Sequence, residues 1–151
     1  MMNVDLVFNP NVATVLAKTD VADAAKLMRD QHVGDLIVTE PRGGQAVPIG
    51  ILTDRDIVVG VIAKRIAPDA VTVGDVMTRN VLTVREDASL EFALREMRRH
   101  GVRRAPVVRA SGGGLVGVVT IDDVIQHLAV QLSRLADLVR IEQDTEAKAR
   151  P

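Results

Sequence analysis

Apolar and polar positions alternate along this chain in two matching series. In the first, Val21, Ala24, Ala25, Leu27 and Met28 recur at helical spacing; in the second, Leu90, Ala93, Leu94 and Met97 do the same. That spacing marks one buried face on each of two helices. Thr19 and Asp20 precede the first, and Asp87, Ala88 and Ser89 precede the second, which supplies cap residues and first-turn acids. A short strand is predicted before each helix, at 12–15 and 81–84. After each helix the period changes to that of a hairpin. Strands are predicted at 36–38 and 48–52 around the loop 41–44, and at 106–108 and 115–119 around the loop 111–114. Each hairpin runs into a Thr-x-x-Asp turn, Thr53 to Asp56 and Thr120 to Asp123, where a new helix starts.

The two series are one repeat. Leu6-Val7-Phe8-Asn9-Pro10-Asn11-Val12-Ala13-Thr14-Val15 aligns with Asp75-Val76-Met77-Thr78-Arg79-Asn80-Val81-Leu82-Thr83-Val84. Val33 then meets Val102 at the same offset. After Val38 and Val107 the offset shortens by two, and Gly50-Ile51-Leu52-Thr53 meets Gly117-Val118-Val119-Thr120. Repeats this short are marginal alone, so the two should pack about a pseudo-twofold axis. The predicted fold class is α/β (α+β), each repeat a small sheet with packed helices. The boundaries are repeat 1 at 6–67, a linker at 68–74, repeat 2 at 75–142 and a polar tail at 143–151. The first closing helix is expected over about 54–67, ended by Pro68. The second should run to about Glu142 and then fray. Its stripe of Ile125, Leu128, Leu132, Leu135 and Val139 exceeds what one repeat needs. It either folds back on its own module or forms a contact between copies.

Composition narrows the chemistry. The 151 residues contain no Cys, Trp or Tyr, and Phe8 and Phe92 are the two aromatics. Both are expected in the core. Without Cys there is no disulfide, thiolate nucleophile or iron–sulfur ligand. A net charge of -1 and 1% aromatics argue against a nucleic-acid partner. No stretch reaches the ~18 apolar residues of a membrane span, and the first ten residues do not read as a secretory signal, so the expected location is cytoplasmic with no membrane partner. His32, His100 and His127 show no metal-ligand spacing, and His32 and His100 fall at helix ends, where a cation suits the dipole. Ser89, Ser111 and Ser133 sit in no nucleophile elbow. No catalytic residue and no metal site is expected. The Thr-x-x-Asp turns read equally as helix caps and as ligand sites, because a helix start offers free amides to a phosphate and a carboxylate can accept from ribose hydroxyls.

These residues resemble a known family. Val73-Gly74-Asp75-Val76-Met77-Thr78, Gly101-Val102-Arg103-Arg104-Ala105-Pro106-Val107-Val108 and the two Gly-apolar-apolar-Thr turns are similar to a tandem pair of cystathionine-β-synthase (CBS) domains, a Bateman module. The resemblance covers nearly the whole chain. It implies a non-catalytic regulatory module that binds AMP, ADP, ATP or S-adenosylmethionine between the repeats, with no cofactor required. It also implies disc-shaped homodimers and, for stand-alone members, stress-related or unknown roles with an unidentified downstream protein partner. The competing reading is a dimeric interaction protein without ligand. Carried over by position, Thr53 and Thr120 meet phosphate, and Asp56 and Asp123 hold ribose hydroxyls. The base of one cleft would lie against Leu82, Thr83, Val102, Arg104 and Pro106, and that of the other against Ala13, Thr14, Val33, Asp35 and Ile37. With such pairing, Arg55 and Arg104, with Arg103 as a further candidate, face the first cleft and Asp122 and Asp35 the second. Nucleotide phosphate is therefore expected in the first, held without an aromatic to stack on adenine.

Overall fold

The computed structural model describes residues 2–150. Two small sheets carry the helices. The first sheet orders β1 (Thr14–Leu16), β2 (Asp35–Arg42), β3 (Gln45–Thr53) and β4 (Thr78–Arg79); the second orders β5 (Val84–Arg85), β6 (Arg104–Val108) and β7 (Leu115–Thr120). β1–β2 and β5–β6 are parallel, and the hairpins β2–β3 and β6–β7 are antiparallel. The hairpins carry matching bulges, at Val38/Thr39 and Val107/Val108. A tandem α/β repeat was legible beforehand, and the two sheets with their packed helices are that fold.

Helices α1 (Val21–Gln31) and α4 (Leu90–His100) start at Asp20 and Ser89, whose side chains accept from the N–H groups of Asp23 and Phe92. Each ends in a left-handed residue, His32 at φ 54° and Gly101 at φ 65°. Their inner faces are Val21, Ala24 and Met28, and Leu90, Ala93 and Met97. Phe92 is not core. It lies two positions from Leu90 and so turns outward on α4, where the Arg95 guanidinium sits 5.4 Å from its ring centroid.

The opening segments of the two repeats are exchanged. Val4 and Val7 lie in the core built by Val84, Leu90, Met97, Val107 and Val119. Val73 and Met77, from the short helix α3 (Val73–Val76), lie in the core built by Val21, Met28, Leu36, Leu52 and Val61. The backbone ties match. Val4 N–H donates to Ala88 O at 3.0 Å, and Val73 N–H donates to Thr19 O at 2.8 Å. Gly50 and Gly117 make the crossings possible. A Cβ on Gly50 would stand 2.7 Å from Met77 Sδ, and one on Gly117 would stand 2.2 Å from the Phe8 ring.

Two elements depart from the sequence expectation. Helix α2 (Asp54–Ile57) continues as a π-helical turn over Val58–Ile62. Arg65 then takes a left-handed φ of 57°, so the helix is broken before Pro68. The final helix α5 (Ile121–Ala149) does not fray after Glu142. Glu, Ala and Lys there are strong helix formers with no Gly or Pro among them, and the Thr145 hydroxyl donates back to Ile141 O at 2.8 Å. The α5 stripe is exposed and does not fold back on its own module. Among the described residues no helix is long and apolar enough to cross a membrane.

Candidate ligand clefts between the repeats

Both Thr-x-x-Asp turns are helix caps. Thr53 Oγ1 accepts from Asp56 N–H at 3.1 Å, and Asp56 Oδ2 accepts from Thr53 N–H at 2.9 Å. Thr120 Oγ1 accepts from Asp123 N–H at 3.1 Å and donates to Asp123 Oδ2 at 2.7 Å. Caps of this kind satisfy amides that the helix itself leaves free.

Each turn opens on a cleft shared with the other repeat. The first cleft, about 350 Å³, is walled by Ile51 and Thr53 from repeat one and by residues from Thr78 to Leu82 and from His100 to Arg104. The second, about 140 Å³, is walled by Val118, Thr120 and Asp123 and by Asn9, Asn11, Val12, Ala13, Val33, Asp35 and Arg104. Thr53, Leu82, Val102 and Arg104 thus come together, as do Thr120, Asp123, Ala13, Val33 and Asp35. Thr14 and Thr83 are exposed, Ile37 and Pro106 are buried, and none of these four lines a cleft. Arg55 and Asp122 are exposed outside both linings, and Asp56 stays with its cap.

The linings differ in charge, and the residues that carry the difference are only partly the expected ones. Asp35 and Arg104 occupy equivalent positions in the two repeats, 69 residues apart, and form an ion pair across the axis. Arg104 lines both clefts. Asp122 is drawn to Arg103 of its own repeat at 3.2 Å, with both side chains exposed. The first cleft gains Arg79, His100 and Arg103, which sequence reasoning left out of the wall or named only in passing. No carboxylate joins them in the lining. Arg79 Nη2 donates to Gly74 O at 2.8 Å, and His100 Nδ1 lies 2.8 Å from Glu96 O. The repeat alignment held the signal. Pro10, Gln31 and Gly34 stand where the second copy has Arg79, His100 and Arg103. Among the described residues no cluster of His, Asp and Glu could hold a metal ion.

A doubled α/β repeat with exchanged opening segments and a capped cleft at each hairpin end defines a paired-repeat module with two candidate ligand clefts. The family model for the CBS domain matches this chain twice, over residues 4–62 and 73–130. The chain belongs to the CBS domain family. It is 34% identical over 122 residues to hypoxic response protein 1 of Mycobacterium tuberculosis, covering 81% of this chain and 82% of that one. It is 36% identical over 104 residues to an uncharacterised protein of Methanopyrus kandleri, covering 69% of this chain but 51% of that longer protein. The crystal structure of CBSX2 in complex with AMP superposes with a TM-score of 0.70 at 30% identity, covering 88% of this chain and 99% of that one. No enzyme family is indicated by these matches.

Proposed function

We propose that this chain is a non-catalytic sensor module that binds an adenosine nucleotide in the cleft opened by Thr53. The observation that carries this reading is the lining of that cleft. Arg79, Arg103 and Arg104 face a space of about 350 Å³ with no carboxylate among them. Guanidinium groups grouped in this way suit phosphate, and ligand sites start at roughly 300 Å³. Ile51, Val81, Leu82 and Val102 offer an apolar surface for the base. The Thr53 hydroxyl proton is free to reach a phosphate oxygen while its oxygen caps α2. Asp56 commits Oδ2 to the cap and stands outside the cleft lining. The AMP complex of the CBSX2 relative supports the ligand class.

The second cleft is smaller than ligand sites of roughly 300 Å³ and carries Asp35 and Asp123. We assign it a weaker or less anionic ligand, with S-adenosylmethionine as the candidate that the family resemblance supplies. A thermal-shift panel of AMP, ADP, ATP, NAD and S-adenosylmethionine tests the reading. Saturating nucleotide should raise Tm, because a ligand that binds only the folded chain stabilises it. A flat response to every member of the panel would leave the ligand-free interaction protein as the better reading.

A further inference from the structure

Besides its guanidinium groups, the lining of the first cleft carries one titratable side chain among the described residues, His100. This residue closes α4, and Gly101 turns the chain away directly after it with a left-handed φ of 65°. The ring Nδ1 lies 2.8 Å from Glu96 O, one turn back. A carbonyl oxygen only accepts, so Nδ1 carries the proton that makes this bond. Nε2 is left as the nitrogen that can meet a ligand. A basic residue suits the end of a helix, but that does not explain its place in the cleft wall. Gln31 holds the equivalent position in the first repeat and is absent from the lining of the second cleft.

The groups around the ring favour an anion. Arg79 of β4, Arg104 of β6 and Arg103 just before it share the lining, while Ile51 and Thr53 of β3 add no charge. Asp35 and Asp122 are engaged by Arg104 and Arg103. Glu96 and Arg99 stand on the same helix as His100. A phosphate drawn among the three guanidinium groups meets the imidazole as a further contact. With Nδ1 alone protonated, the ring turns an Nε2 lone pair toward the phosphate, and the two repel. With a second proton, Nε2–H donates a charge-assisted hydrogen bond. Histidine is the side chain that ordinarily changes charge between about pH 5 and 8. We propose that His100 is a phosphate contact of the first cleft, and that nucleotide binding there takes up a proton from solvent onto Nε2. This inference rests on the nucleotide reading of the cleft and adds its regulation. The module reads nucleotide and proton together, and binds more tightly as pH falls.

Calorimetric titration of AMP into the full chain and into His100→Gln, between pH 8 and pH 6, tests it. His100 is exposed, so the variant should fold as the wild type does. Both chains meet the same ligand, so the titration of AMP itself cancels in the ratio of their affinities. That ratio should grow from near one at pH 8 to on the order of tenfold in favour of the wild type at pH 6. At pH 7, in buffers of different ionisation enthalpy, the wild type should take up more protons per AMP than His100→Gln. His127→Gln, outside the cleft lining, should match the wild type. Adenosine, which has no phosphate, should show no such change with pH. A ratio that stays constant with pH, or one that changes equally for adenosine, would overturn the inference while leaving the nucleotide site in place. No AMP binding at any pH would overturn the nucleotide reading and this inference with it.

Discussion

Arg104 is the residue on which the two clefts depend together. It lines both and is paired with Asp35, with side chains 40% and 20% exposed. An anion entering the first cleft competes with Asp35 for this guanidinium. Exposure on the Arg104 side screens the pair, so the competition is worth about 1 kcal/mol, or roughly fivefold in Kd. Asp35→Asn removes the competitor and leaves the shape of the side chain. It should tighten ATP at the first cleft by roughly three- to tenfold and leave uncharged adenosine unchanged. Arg104→Ala should weaken ATP by on the order of tenfold, the worth of one charge-assisted contact to phosphate. In the double variant the effect of Asp35→Asn should vanish, since no guanidinium remains to be released. Calorimetric titration of ATP and adenosine into the four chains reads all of these values. An equal gain for ATP and adenosine in Asp35→Asn, or a gain that persists without Arg104, would refute the competition.

Two further outcomes follow from the exchange of opening segments. Gly117→Ala drives a methyl into the Phe8 ring and the carbonyl of Asn9, 2.2 and 2.5 Å from the new Cβ. It should cost on the order of 2 kcal/mol or more in urea denaturation, and stability equal to the wild type would mean that the opening segment is not seated there. At the start of α3 the N–H and hydroxyl of Thr72 both donate to Asp75 at 2.9 Å and hold its carboxyl below the ordinary value of 3.8. A carboxyl with a lowered folded-state pKa adds stability above its unfolded pKa and loses it as pH falls through the folded value. Asp75→Asn should therefore lower Tm at pH 7, with the gap to wild type closing below about pH 4. A gap of constant size across that range would contradict the linkage.

Much of the fold was legible because the same pattern is written twice. The buried stripes of α1 and α4 and their caps at Asp20 and Ser89 follow from local spacing and side-chain chemistry. The exchange of opening segments was not legible. Val4 and Val7 look alike whichever sheet they join, and the choice is made by distant glycines that admit Phe8 and Met77. Phe92 was misplaced because its size suggested core while its position on the helix turned it outward. At the clefts, Thr53, Leu82, Val102 and Arg104 were recoverable from motif positions. Arg79 was passed over although the repeat alignment sets it opposite Pro10, because the motif positions carried across did not include it. The cross-axis pair of Asp35 and Arg104 needed the two repeats placed face to face.

The central claim is that an adenosine nucleotide sits in the Arg79-, Arg103- and Arg104-lined cleft. Isothermal titration of AMP into the full chain and into Arg79→Ala measures it most directly. The expected result is one dominant site per chain, weakened by on the order of tenfold in Arg79→Ala and unmoved in Asp123→Ala. Two equal sites, or one site that is indifferent to Arg79 and lost with Asp123, would contradict it.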